Sequence, residues 1–252
     1  VLVSSDAENF VVTITQSGSK GKFGLNGSVA VSDVDNTSLA FIEDKARVDA
    51  AGNVSVHAGS SYFGVNIAGA ISKGDKLAFG VSVAINDVDH VTRAFIGDQV
   101  TSGAYTGDGR VTSGGDVDVE AVSSESLWNF TVAGSTAGGE KKTTPGWQPP
   151  FGGIPLPGLA REPEEAQTKT SSGVGISGAV AVNLVSDDTQ AYISDIARVD
   201  ATGDVMVSAE NGALAVVGTG AVTISTAPKG GGFAGAFSWN DLTRNTEAFT
   251  EN

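Results

Sequence analysis

One ten-residue phrase recurs along the chain and constrains its fold more than any other feature. The phrase reads GNVSVHAGSS from Gly52, GDVDVEAVSS from Gly115 and GDVMVSAENG from Gly203. In the first copy, apolar residues alternate with polar ones, which is the period of a half-buried β-strand. A chain that repeats such a phrase folds as stacked copies of one unit, so the repeat is assigned before any single residue is interpreted.

A second phrase sets the length of the repeat. Alanine takes the same place in LAFI, RAFI, QAYI and EAFT, at Ala40, Ala94, Ala191 and Ala248. The spacing is about 54 residues except across one unit, which carries insertions near 101–110 and 138–170. We therefore predict one repetitive all-β domain over 1–252, and we expect the chain to be an excerpt from a longer protein. Its units are a partial one at 1–21, full ones at 22–75, 76–171 and 172–230, and a partial one at 231–252.

Each unit contains four strand-like segments, here called a to d in chain order. In segment a, side chains of very different size alternate along the strand. Its bulky column is Val31, Ile85, Val182 and Trp239, and its small column is Ala30, Ala84, Ala181 and Ser238. Small residues let a second layer approach closely, so we expect segment a to be covered on both faces.

Two all-β architectures fit this order of segments. In a β-solenoid, similar to a parallel β-helix, equivalent segments of successive units stack, and Val54, Val117 and Val205 form an interior ladder. In a β-meander, segments d and a pair as an antiparallel hairpin across a tight turn such as KGDK at Lys73. The in-phase columns favour the solenoid, above all an aromatic one. That column is Phe41, Phe95, Tyr192 and Phe249.

The phrases GDVDVEA, GDVMVSA and GAVAVN followed by AYI resemble the tandem-repeat regions of giant bacterial secreted and surface adhesins, of the filamentous-haemagglutinin type. The resemblance covers nearly the whole chain apart from 138–170. It implies an extracellular or cell-surface stalk that serves adhesion, spacing or matrix building. These motifs describe a solenoid and no activity, so the resemblance carries over no catalytic residue.

Acidic residues follow segment a in several units and predict either turns or calcium sites. The candidate ligands are Asp33, Asp35, Asp87, Asp89, Asp187 and Asp188. Carboxylates two residues apart offer the oxygens that Ca²⁺ prefers, whereas Asp and Asn also populate turns because their side chains bond to their own backbone. Calcium-stabilised, self-assembling repeats are therefore an alternative function, and no other cofactor is required.

The remaining residues give little support for catalysis. The two histidines, His57 and His90, fall at different points of the repeat, and we expect both to be exposed bystanders. The acids recur with the repeat and do not converge, so an enzyme acting on polysaccharides is a distant alternative. The net charge of −14 and the lack of a long apolar run predict no nucleic-acid partner and no membrane insertion.

The larger insertion is the one segment that departs from the repeat. Trp147 and Phe151 flank a pair of prolines, and together they form a hook of the kind that contacts glycans or another protein chain. The alternative is a loop whose aromatic rings fold back onto the solenoid wall. Partners on this view are a host or neighbouring-cell surface protein or glycan, or another copy through repeat stacking.

Overall fold

The structure is a computed structural model that describes residues 1–98, 109–138, 172–194 and 198–251. Every strand pairing in this part of the chain is parallel, and no helix occurs in it. The predicted all-β, parallel β-helix-like solenoid is thereby confirmed. Its strands are β1 (Leu2–Glu43), β2 (Arg47–Ala50), β3 (Val54–Gly97), β4 (Arg110–Ser113), β5 (Val117–Ala137), β6 (Val174–Ser194), β7 (Arg198–Ala201), β8 (Val205–Ser225) and β9 (Gly231–Thr250).

One coil of the solenoid consists of a short strand and two long segments. In the second coil the short strand is β2, and β3 supplies both long segments, 54–74 and 77–97, on either side of a tight turn. Equivalent segments of successive coils pair into two layers. Layer one contains 2–21, 54–74, β5 and β8, and layer two contains 23–43, 77–97, β6 and β9. The short strands β2, β4 and β7 form a third sheet that connects layer two to layer one of the next coil.

The long segments correct two expectations. Segments a and b form one continuous strand of layer two, and segments c and d form one continuous strand of layer one, because the alternation of inward and outward side chains runs unbroken through both. The turn between them joins the two layers, so segments d and a face each other across the interior and do not pair as a hairpin. The β-meander is therefore wrong.

The predicted columns are present with the expected register. Val54 pairs with Val117 and Val117 with Val205, and the first two are completely buried. The aromatic column stacks nearly parallel rings, with centroids 5.0, 4.9 and 5.1 Å apart at successive steps from Phe41 to Phe249. Identical side chains recur because each coil lies directly above the equivalent residues of the coil before it.

The interior is apolar near the short strands, and along the rest of the coil small and polar residues surround a second apolar cluster of Tyr62, Val88, Leu127 and Val185. Near the short strands, Val54, Val56 and Ile96 are completely buried in one apolar cluster. Further along, the inward column of layer two is alanine in three coils, and Ala30, Ala84 and Ala181 are at most 1% exposed. Small side chains let the two layers approach closely, as the sequence predicts for this face.

The bulky column of segment a lies on the outside of the molecule. Val29 is 61% exposed, Val31 58% and Trp239 55%, so the expectation that segment a is covered on both faces is wrong. The alternation of side chains along a strand explains this result. A two-layer solenoid buries only one face of each strand, and the face with small side chains is the one that lets the two layers approach each other.

Gly97 ends layer two of the second coil in a conformation that requires glycine. Its φ is +121°, and a Cβ at this position would lie 1.5 Å from the Ser194 carbonyl oxygen of the next coil. The backbone therefore leaves the long strand at a fixed angle. This turn precedes the insertion near 101–110, of which 109 and 110 are described.

Candidate functional site

Buried asparagine side chains connect the two layers and successive coils. Asn66 of layer one donates to Asn86 Oδ1 of layer two over 2.9 Å. One coil further on, Asn183 Oδ1 accepts from Asn86 and Asn129, each over 2.7 Å, and Asn183 Nδ2 donates to Asn240 over 2.6 Å. Buried amides need partners, and here most of the amide groups pair with one another, although Asn66 Oδ1 and Asn129 Oδ1 have no partner among the described residues. The ladder therefore links the two layers and successive coils.

A second polar group in the interior contains the ionisable side chains His90, Glu125 and Asp187. His90 and Asp187 occupy one column of layer two in neighbouring coils, and Glu125 reaches them from layer one. His90 is 1% exposed, Glu125 5% and Asp187 2%. Among the described residues this is the one group of three or more histidine, cysteine or acidic side chains whose ligand atoms lie within 4.8 Å of one another.

The contacts inside this group are uneven. Asp187 accepts hydrogen bonds from Ser123 Oγ over 2.7 Å and from Thr189 Oγ1 over 2.9 Å. His90 Nδ1 lies 2.9 Å from Glu125 Oε1, but the two atoms are not aligned for a hydrogen bond. Neither nitrogen of His90 has a hydrogen-bond partner among the residues that the structure describes. The imidazole thus sits close to a carboxylate without being satisfied by it.

Tyr62 closes the group on the side of the second coil. Its ring meets that of His90 edge to face, with centroids 5.6 Å apart and an interplanar angle of 87°. Burial raises the pKa of the Tyr62 phenol, and the nearby Glu125 carboxylate raises that pKa further. The group therefore lies in a part of the interior that disfavours uncompensated negative charge.

The two histidines differ from the expectation that both are exposed. His57 is partly exposed: it lies on the outer face of layer one, with Nδ1 3.2 Å from Glu120 Oε2 and Nε2 3.7 Å from Asp6 Oδ1. His90 is buried, so that expectation is wrong for His90. The error came from placing a turn at 86–90, where the strand in fact continues and turns His90 inward with Asn86 and Val88.

The acidic residues singled out from the sequence lie within strands and on both faces of layer two. Asp33 pairs in register with Asp87, and Asp35 with Asp89, and all four point outward into solvent. The turn that the sequence suggested at these positions is absent from the described structure. No three of these four side chains bring ligand atoms within 4.8 Å, so calcium binding by them stays a prediction.

Asp187 and Asp188 separate to opposite faces because they are adjacent in a strand. Asp187 points inward and joins His90 and Glu125, whereas Asp188 points outward and forms an ion pair with Arg93 of the preceding coil. Asp187 was singled out from the sequence as a candidate calcium ligand, and that assignment stays a prediction. The sequence did not provide its partners, which lie in another column and in the other layer.

The third sheet carries a column of arginines on its outer side. Arg47, Arg110 and Arg198 are in register, and Asp200 accepts from Arg198 and Arg110. The Arg198 hydrogen bond holds the pKa of the exposed Asp200 carboxyl below its usual value. Because this carboxylate is shared between two guanidinium groups, we interpret the arginine column as a set of surface ion pairs that orders the corner of the coil.

The outer faces of both layers carry apolar columns near the middle of the long segments. In layer one, Phe10 stacks on Phe63 with ring centroids 5.4 Å apart, and Trp128 lies near Phe130. In layer two, the bulky column described above continues from Val31 to Trp239. Residues in the middle coils are half-covered by their neighbours in the column, and those in the first and last coils are exposed.

Trp147 and Phe151 lie outside the described residues, so their assignment as a binding hook stays a prediction. The described residues include no helix long and apolar enough to cross a bilayer. Comparison with protein-family models, with curated proteins and with solved structures found no match. The fold and the sites above are therefore described from this chain alone.

Proposed function

We propose that the chain is an adhesive scaffold segment of a large extracellular bacterial surface protein. The observation that carries the proposal is the set of bulky apolar side chains on the outer faces of both layers, among them Phe10, Val31 and Trp239. Contiguous apolar patches on a surface mark contact sites.

The stack of coils suits a load-bearing or spacing role. Successive coils are joined by parallel ladders that run through both long segments, and the register between the first two coils shifts only at the tight turn, between Gly21 and Phe23. Each long segment spans about 70 Å at about 3.3 Å per residue, so every coil presents a broad, flat outer face. The proposed partner of that face is an apolar surface or a second copy of the chain.

The experiment measures adsorption of the purified chain to an alkyl-coated sensor and its self-association by sedimentation velocity. We compare the wild type with a Val31→Glu/Trp239→Glu double variant, in which the two exposed apolar side chains of layer two become charged. Thr37→Glu/Thr243→Glu is the matched control, because it adds the same charge on the same outer face of the same two coils.

We expect the first variant to lose most of its adsorption and self-association and the control to retain them. Both variants should keep the wild-type thermal midpoint, because all four side chains are exposed. Equal adsorption by the wild type and the Val31→Glu/Trp239→Glu variant would contradict the proposal that the apolar columns are adhesive.

A second candidate is the calcium-stabilised, self-assembling repeat. It is favoured by the in-register pairs Asp33 with Asp87 and Asp35 with Asp89, which place like charges on adjacent strands. A cation between them would relieve this repulsion. The effect of calcium on an Asp87 variant distinguishes this candidate from a metal-independent scaffold and is considered below at the scale of the element.

A further inference from the structure

We propose that His90, Glu125 and Asp187 bind one first-row transition-metal dication, Zn²⁺ being the ion of choice, inside the solenoid. The inference is independent of the adhesive role, since it concerns the interior and not the outer faces. It starts from the composition of the group, one imidazole nitrogen and two carboxylates whose ligand atoms lie within 4.8 Å of one another. Nitrogen and oxygen donors of this kind suit Zn²⁺ and its neighbours.

Several buried polar atoms of this group have no hydrogen-bond partner. His90 is 1% exposed, yet neither ring nitrogen finds a hydrogen-bond partner among the described residues, and Glu125 Oε1 finds none either. Buried polar atoms are nearly always satisfied, so atoms that are not satisfied point to a missing partner. The 2.9 Å between His90 Nδ1 and Glu125 Oε1, without hydrogen-bond alignment, fits two atoms that share an ion. Ligands held about 2.0–2.2 Å from one metal lie about 2.8–3.1 Å apart at a right angle and about 3.3–3.6 Å apart in a tetrahedron, so the observed separation is that of two ligands at about 90°.

The charge of the three side chains also favours a bound cation. Two carboxylates and a neutral imidazole carry a net charge of −2 in an interior where such charge is costly, and a dication cancels it. Arg244 follows Asp187 in the same column, but among the described contacts no ion pair joins them. Asp187 instead accepts from Ser123 and Thr189, which orient a carboxylate as the outer partners of metal ligands do.

The position of the group gives the ion a structural role. His90 belongs to the second coil, Asp187 and Glu125 to the third, and Glu125 lies in the other layer. One ion would therefore join two coils and both layers beside the apolar cluster of Val88, Leu127 and Val185. Because the group is enclosed, the ion would enter as the chain folds, and metal binding would be coupled to folding.

The test is refolding of the whole chain from denaturant with Zn²⁺ or Co²⁺, removal of free ion, and elemental analysis. We expect one ion per chain, visible d–d absorption from the Co²⁺ form, and a thermal midpoint several degrees above that of protein refolded with chelator, because an ion that binds only the folded state stabilises it. Absence of stoichiometric metal from both refolded forms overturns the proposal and leaves the group as a cluster of buried polar side chains without an ion.

Variants then assign the ligands. His90→Gln and Asp187→Asn should lose the metal and the Co²⁺ absorption, whereas His57→Gln should retain both. His57 is the ideal control because it is the one other histidine in the chain, and it too lies near two carboxylates. Loss of the metal in His57→Gln with retention in His90→Gln would overturn the assignment.

If the His90→Gln variant fails to refold, two other measurements still test whether this group binds the metal. Glu125→Gln keeps the shape of the side chain and removes its charge, and circular dichroism reports whether it folds. In addition, pulsed electron paramagnetic resonance of the wild-type chain refolded with Cu²⁺ detects nitrogen from a bound imidazole. A Cu²⁺ spectrum without imidazole nitrogen, or one that disappears in His57→Gln, overturns the proposal whatever the His90 variant does.

Discussion

At the residue scale, Asn183 joins three other asparagine side chains through hydrogen bonds. It is fully buried, its Oδ1 accepts from two amides, and its Nδ2 donates to a third. Alternation alone places it inward, because it shares the parity of Ala179 and Ala181. The recurring asparagine after segment a was visible in the sequence, but the hydrogen bonds across the interior depend on which residues of the other layer lie opposite.

We expect Asn183→Ala to lower the free energy of unfolding by about 2–4 kcal/mol, because it leaves the amides of Asn86 and Asn129 buried without their acceptor. The measurement is the urea midpoint and slope of purified variants. Asn245→Ala is the matched control, since Asn245 is an exposed asparagine of the last coil that lies outside the ladder. A loss no greater for Asn183→Ala than for the control would show that the ladder does not stabilise the fold.

At the scale of the element, columns of identical side chains connect one strand to the next. The aromatic column was predicted from the sequence, and the structure confirms it with nearly parallel rings at every step. Phe95 and Tyr192 are at most 2% exposed, although they point away from the interior side of their strands. Burial on that side could not be predicted from alternation, because it depends on what covers the corner of the coil.

Truncation of Tyr192 tests the column. We expect Tyr192→Ala to lower the free energy of unfolding by about 3–5 kcal/mol, the range for a buried aromatic ring. Phe10→Ala is the control, because Phe10 also stacks on one ring but is 74% exposed, and its loss should cost less than about 1 kcal/mol. Urea unfolding of both variants provides the comparison, and equal losses would contradict a stabilising role for burial of the column.

In contrast to the aromatic column, the column of aspartates is expected to destabilise the fold. Asp87 lies beside Asp33 on the adjacent strand, and both are exposed. In the presence of a calcium chelator we expect Asp87→Asn to raise the free energy of unfolding by about 0.2–1 kcal/mol, because it removes a like-charge neighbour.

Calcium reverses the sign if these residues hold the ion. In millimolar calcium a bound ion would stabilise the wild type more than the variant, so Asp87→Asn would then destabilise. Thermal unfolding of both proteins with chelator and with calcium gives the answer. Destabilisation by Asp87→Asn in chelator would show that the carboxylate makes a favourable contact that like-charge repulsion does not describe.

At the scale of the whole molecule, the shape follows from the length of the coil. Two layers with long segments of about 70 Å stack at about 4.8 Å per coil, which makes the described part a flat slab. We expect a radius of gyration of at least about 22 Å, against about 18 Å for a compact domain of this length. Small-angle X-ray scattering of the monomer measures it. A value near 18 Å would contradict the extended coil.

Sequence by itself determined the all-β class, the repeat, the stacking columns and the small face of segment a, because strand alternation and in-phase recurrence are local properties of the chain. It also gave Asp187 as a candidate ligand. The tertiary structure decided that each coil has two layers, that the bulky face lies outside, and that His90 is buried beside Glu125 and Asp187. Those outcomes depend on where a long strand ends and on which residues of the opposite layer it contacts. The spacing of residues within a single strand specifies neither of these.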